Sequence, residues 1–260
     1  MKTFTNYISE KLKLSTQKID YKYVPQTRDE LIEAIRKEID SQGKDADLNI
    51  IDTSNVDDFS RLFISFSNEI ENIKIDKWNT SNVKQMYHTF AQCEKFNCDL
   101  SKWDVSNVTN MVSMFHNCKR FTNGGNTEGL NEWDVSNVDN MHGMFWMCIS
   151  FNCNISNWNV SEVESTQEMF ASCHELTCDL SNWNISKVKN AQEMFSGCTK
   201  INCDFGKWQP KSLKIASKMF EDCRKLECDF SNWGNYEIEY KDGMFTGCRK
   251  LNKPDWYYKK

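Results

Sequence analysis

Residues 98–118 read CDLSKWDVSNVTNMVSMFHNC, and variants of this stretch recur along most of the chain. With each Trp taken as position 0, Trp78, Trp103, Trp133, Trp158, Trp183, Trp208 and Trp233 stand 25 residues apart, with one interval of 30 between Trp103 and Trp133. Phe occupies position 12 in all seven units, from Phe90 to Phe245, and Cys occupies position 15, from Cys93 to Cys248. Composition alone does not produce agreement that complete. A period of this length signals stacked repeats, each too small to bury its own apolar face.

Within a unit the hydrophobic period changes. Positions 5, 8, 11, 12 and 15 carry Val or another aliphatic residue, Met, Phe and Cys, a stripe that predicts a short helical segment. Positions 18, 20 and 22, as in Phe96, Cys98 and Leu100, alternate with Asn97, Asp99 and Ser101, which predicts one short strand with the apolar set inward. The expected fold is therefore an α/β repeat solenoid with one short parallel strand and one short helical segment per 25-residue unit.

The twelve cysteines fall at two repeat positions, seven at position 15 and five at position 20 (Cys98, Cys153, Cys178, Cys203, Cys228). Stacked in register they point the same way, which favours buried thiols as small apolar filler. A spacing of about 4.8 Å between stacked neighbours leaves disulfides geometrically open. A metal site lacks the C-x-x-C pair or attendant His that zinc spacing calls for.

The units WDVSNVTNMVSMFHNC and WNISKVKNAQEMFSGC, followed by FNCNIS or INCDFG, resemble the BspA-like family of leucine-rich repeat proteins over about residues 44–252. The resemblance implies a right-handed, leucine-rich-repeat-like solenoid and a non-catalytic binding role of the kind associated with surface adhesion.

Outside the repeats, residues 1–26 carry apolar residues at helical spacing and read as an N-terminal arm or amphipathic helix. Residues 27–50 read as a helical cap and first strand: Thr27-Arg28-Asp29-Glu30 has the capping-box form, Leu31, Ile32, Ile35 and Ile39 make one face, and Gly43 stops the helix. Residues 51–252 hold about eight repeats, the first degenerate, with Ile51 in the Trp place and Phe66 in the Cys place. Residues 253–260, with Pro254 and Trp256-Tyr257-Tyr258, form a C-terminal cap. The five extra residues before Trp133 lie around Asn123-Gly124-Gly125-Asn126 and read as a surface loop.

Among the 260 residues, 39% are hydrophobic and 27% charged, within the globular range, and the net charge of −5 offers no whole-molecule reason to bind nucleic acid. No run approaches the roughly 18 apolar residues that cross a bilayer, and the first residues lack the apolar stretch of a signal peptide. These features predict a chain that is not inserted in a membrane, located in the cytoplasm or the interior of a virion or host cell, with an extracellular surface as the alternative. No phosphate-binding loop, H-E-x-x-H or G-x-S-x-G occurs. His88, His116, His142 and His174 lie at positions 10, 13, 9 and 16, which predicts no common site, so neither catalysis nor a cofactor is expected.

The outward polar residues of the expected strand, Asn97, Asp99, Asn154, Asp179, Asp204 and Asp229, are the candidate partner-binding set. Carboxylates stacked that closely repel unless solvated, hydrogen-bonded or neutralised by a basic partner or cation. The leading expectation is a monomeric interaction scaffold that binds a protein partner through this face. A surface or virion-associated adhesin, and a cation-binding or enzymatic protein using the Asp positions or paired Cys, are the alternatives.

Overall fold

The computed structural model describes residues 20–259. One α-helix, α1 (Arg28–Gln42), precedes the repeats; six short 3₁₀ turns complete the regular helical structure among the described residues. The Thr27 hydroxyl accepts the Glu30 N–H at 3.2 Å, and Asp29 and Glu30 place negative charge at the dipole's positive end. Gly43, at φ 79°, ends the helix and returns its N–H to the Ile39 carbonyl at 2.8 Å. Leu31, Ala34, Ile35 and Ile39 are buried and close the first end of the core. The arm expected over residues 1–26 falls largely outside the described residues.

The repeat units stack, but they are not built as the sequence suggested. No strand forms among the described residues, and no unit contains an α-helix, so the α/β solenoid of paired strands and helical segments is not the architecture. The β pairing consists of isolated parallel bridges, and from Asp58 through Gln85, Asn110, Asn140, Ser165, Asn190 and Ile215 to Tyr240 these fall at position 7. That is the half of the unit expected to be helical. Phe96, Cys98 and Leu100 are buried and Asp99 is exposed, so the alternation in burial is real, but it belongs to an unpaired extended segment.

The helix-like stripe comes from consecutive tight turns. In the Trp103 unit, Met114, His116 and Cys118 each donate an N–H to the carbonyl three residues back, at 3.2, 3.1 and 2.9 Å. The intervening Ser113, Phe115 and Asn117 send theirs to His142, Met144 and Trp146 of the next unit, at 2.8, 2.9 and 2.7 Å. Two residues per unit must then turn left-handed, here Ser113 at φ 52° and Asn117 at φ 60°. The same two positions are left-handed in each later unit; Gly takes them at 143, 197, 243 and 247, and residues such as Glu168 and Met147 take them elsewhere. A non-Gly residue there costs on the order of 1–2 kcal/mol, which the bonds to the next unit offset. Chain reversals every three or four residues bring the same side chains inward that an α-helix would.

Side chains then bolt each unit to the one before it. Every repeat Trp donates its indole N–H to the carbonyl three residues ahead of the preceding position 0: Trp103 to Ile75 at 3.0 Å, Trp183 to Ile155 at 3.1 Å, Trp233 to Phe205 at 3.1 Å. Each position-15 thiol reaches the position-12 carbonyl of the preceding unit, as from Cys118 to Phe90 at 3.0 Å and Cys173 to Phe145 at 3.1 Å. Between these contacts the position-12 rings form one column from Phe63 to Phe245, successive centroids 5.0 to 5.8 Å apart. At the far end Trp256 repeats the indole contact, donating to Phe230 at 2.7 Å, and Tyr257 packs edge-on to Phe245.

Replacing Trp183 with Phe strands the buried Ile155 carbonyl and is expected to lower unfolding free energy by about 1–3 kcal/mol, measured by urea titration. Trp146→Phe, whose indole meets no such carbonyl, lowers it less. The twelve cysteines are free thiols. Burial raises the position-20 thiols Cys98 and Cys153 to about 12, and those at position 15 rise as well. Titration with a disulfide reagent at pH 8 is therefore expected to find little reaction in the native protein beyond the half-buried Cys178 and Cys228, and all twelve thiols in guanidinium.

Candidate interaction face

Of the six residues singled out from the sequence, Asp99, Asn154, Asp179, Asp204 and Asp229 occupy position 21 of their units and Asn97 lies two residues before Asp99, and most are committed to local turns. The Asp99, Asn154, Asp179 and Asp229 side chains each accept the N–H two residues on, from Ser101, Ser156, Ser181 and Ser231, at 2.8 to 3.0 Å. This is the Asx turn that Asp and Asn favour. The Ser181 N–H and hydroxyl hold the Asp179 carboxyl below its usual range, with Lys207 adding to the effect. Asp204 instead lies 3.6 Å from Lys207. The column is not continuous: Lys74 stands opposite Asp47, pairing with it at 3.4 Å, and Gly124 takes the place after Asp99.

Asn97 organises the insertion. Its side-chain oxygen accepts the N–H groups of Thr122 and Gly124 at 2.8 and 2.9 Å, and its amide donates to the Thr122 hydroxyl at 3.0 Å. Gly124, at φ 63°, lies so close to Asp99 that a Cβ would approach the Asp99 nitrogen to 2.9 Å. Asn123 fills the place of the missing cysteine and accepts the Leu100 N–H at 2.7 Å. Asn126 donates to Asp99 of the preceding unit, and Asn154 of the following unit donates to Glu128. The loop read from Gly and Asn is thus tied to the units on either side.

A different face gathers groups that sequence spacing left apart. Positions 9, 10, 13 and 14 lie on the turn-rich side of each unit, where the main chain bonds to its neighbours. Here His116 lies flat on Trp146, with centroids 4.4 Å apart and planes 3° from parallel. His88 packs on Tyr87 at 4.1 Å, and Arg61 sits over the same Tyr87 ring at 5.2 Å. Burial holds the His88 imidazole below its ordinary pKa, and the charges of His116, Arg61 and His142 act in the same direction. His116 is lowered chiefly by burial; Glu168 opposes the shift and His142 adds to it. The charges of His116 and His142 thus bear on His88, and that of His142 on His116, although the three residues stand at unequal positions of their units.

Beside them Met147 is 37% exposed and Ile149 38% exposed, two of the large apolar residues left open to solvent. The signal was present in the sequence as the exception to the pattern: position 13 is Ala in the Trp78 and Trp158 units but His116 and Trp146 between them. Among the described residues no group of three His, Cys, Asp or Glu side chains could hold a metal ion. No helix among them is long and apolar enough to cross a membrane.

No curated protein and no solved structure matches the chain. A repeat family does, in three overlapping segments covering residues 33–128, 122–233 and 202–259. With nearly all of the stacked units matched, the chain belongs to the family described as Mycoplasma protein of unknown function, DUF285.

Proposed function

We propose that the chain is a non-catalytic repeat scaffold that binds a protein partner, and that its units are kin to the BspA-like leucine-rich repeats whose W-D-V-S-N-V-T-N-M and M-F-x-x-C signatures they share. The observation that carries this reading is the cluster of Arg61, Tyr87, His116, Trp146, Met147 and Ile149 on one face. Aromatic residues, Met and Arg are the types enriched where proteins bury surface against one another. The face is rigid because its main chain is the hydrogen-bonded junction itself, so little ordering entropy opposes docking.

The Asp positions serve as a rim in this reading. Asp99, Asp179, Asp204 and Asp229 are exposed; the turn bonds of Asp99 and Asp179 use one carboxylate oxygen, Ser231 engages both oxygens of Asp229, and Asp204 lies by a lysine. Rim charges steer encounter more than they set affinity.

The test is capture from extracts of the source organism with the purified chain as bait, followed by affinity measurement on the partner recovered. Trp146→Ser together with Met147→Ser is expected to weaken that partner roughly 30-fold, the loss of a central contact worth about 2 kcal/mol. Asp179→Ala is expected to change affinity only a few-fold and to leave the melting temperature intact. Phe170→Ala, in the ring column, lowers stability by about 3–5 kcal/mol and serves as the folding control. Unchanged affinity in the Trp146/Met147 variant, with Asp179→Ala abolishing binding, would overturn the choice of face.

A further inference from the structure

The position-7 residues from Asp58 to Ile215 are all half-buried under the bridge to the next unit, whereas Tyr240, the last of the series, is 59% exposed. Inside the stack one set of main-chain bonds fills this edge. The Thr109 N–H donates to the Lys84 carbonyl at 3.0 Å, and the Asn110 and Val112 carbonyls accept the Met86 and His88 N–H groups at 3.0 and 2.9 Å. In the last unit the matching groups are the Glu239 carbonyl and the N–H groups of Lys241 and Gly243, and among the described residues none of the three has a partner. The Gly247 N–H is open in the same way, and the Phe245 N–H has the Tyr257 hydroxyl beside it.

The C-terminal turn fills only part of this end. Trp256 takes the indole place of a further unit, donating to the Phe230 carbonyl, and Tyr257 covers the Phe245 ring. Among the described residues nothing takes the place of that unit's positions 5 to 9. A cavity of about 380 Å³ lies there instead, lined by Tyr236, Ile238, Glu239, Lys241 and Trp256 among others. Every inner unit buries an aliphatic residue at position 5, as at Val108. The cavity, bounded by the position-5 residue Ile238 and by Trp256, is where the next such side chain in the stack would lie.

We infer that this edge docks an extended segment of a partner protein, running parallel to residues 238–243. An aliphatic residue of the segment enters the cavity, the next residue gives its N–H to the Glu239 carbonyl, and two carbonyls further on accept the Lys241 and Gly243 N–H groups. An edge left with unpaired main-chain groups is a template for such an addition. A second copy of the chain does not fit. Tail-to-tail pairing sets the N–H groups of Lys241 and Gly243 against their own kind. Head-to-tail pairing meets α1, which closes the core of the first unit, and Arg28, whose Nε already donates at 2.5 Å to the Ser60 carbonyl that Gly243 would need. The edge shares no residue with the face around Trp146 and Met147, so this inference goes beyond the reading above and does not rest on it.

The probe is one of the chain's own repeat segments as a synthetic peptide, Ser106–Val112 (SNVTNMV), added to the purified full chain while amide hydrogen exchange is followed. With peptide at about ten times its dissociation constant, exchange of the Lys241 and Gly243 amides is expected to slow roughly tenfold. The Ala216 and Lys218 amides, already bonded to Tyr240 and Asp242, are expected to be unchanged. The peptide carrying Val108→Asp is expected to protect nothing. In the protein, Lys241→Pro removes a donor that no native bond uses and is expected to weaken peptide binding roughly tenfold, the worth of one hydrogen bond; the two peptides alone decide the matter if that variant folds poorly. Trp146→Ser with Met147→Ser is expected to bind the peptide as the wild type does. Unslowed exchange at Lys241 and Gly243 up to the peptide's solubility limit, or equal protection by both peptides, would overturn the proposal. Slowing of the same amides by raised protein concentration without peptide would also overturn it, since a second copy would then be the occupant.

Discussion

The structure depends on one kind of contact: a buried side-chain donor on one unit meeting a main-chain carbonyl on the unit before it. A turn-built unit has no strand ladder long enough to satisfy its own backbone, and a buried carbonyl without a partner costs about 1–3 kcal/mol. The indole at position 0 and the thiol at position 15 supply those partners at two separate places along the unit. Both side chains are also apolar enough to fill the core on either side of the donor atom. This explains why Trp recurs at position 0 and why seven of the twelve cysteines stand at position 15, where Phe or Ala would fill space equally well.

The second constraint is the left-handed pair in each unit. Reversing the chain every three or four residues while still sending alternate N–H groups to the next unit demands positive φ at two positions, and residues as large as Met147 and Glu193 accept it. Their side chains consequently stand out from the turn side rather than lying along a helix. That geometry creates the exposed face on which Trp146, Met147 and the histidines collect. Strain in the backbone, junction bonds and interaction surface are therefore three aspects of one segment.

Much of this was legible in the sequence. The 25-residue period, the inward set at positions 0, 5, 12 and 15, and the signals that start and stop α1 at Thr27 and Gly43 can all be read from residue types alone. The local conformation could not. Intervals of 3 and 4 between apolar residues are shared by an α-helix and by successive tight turns, and left-handed positions filled by His, Gln, Ser and Glu carry no glycine signature. Alternation at Phe96, Cys98 and Leu100 correctly marked burial but not pairing, because period 2 describes any extended segment. Positions 9 and 13, four residues apart, and 10 and 13, three apart, already share one side of a helix, so the unequal positions of His142, His88 and His116 were no reason to set them apart. Asp99 and Asp179 drew attention as a charged row, whereas their spacing to Ser101 and Ser181 is that of a turn.

Exchange of the indole protons measures the central contact directly. In an amide-type NMR spectrum recorded after transfer to deuterated water, the indole N–H signals of Trp78, Trp103, Trp133, Trp158, Trp183, Trp208 and Trp233 should persist long after that of Trp146 has vanished. Each of the seven donates to a buried carbonyl of the preceding unit, and Trp146 does not. Loss of all the indole signals at the rate of Trp146 would contradict the account, because the units would then be held together by something other than these bonds.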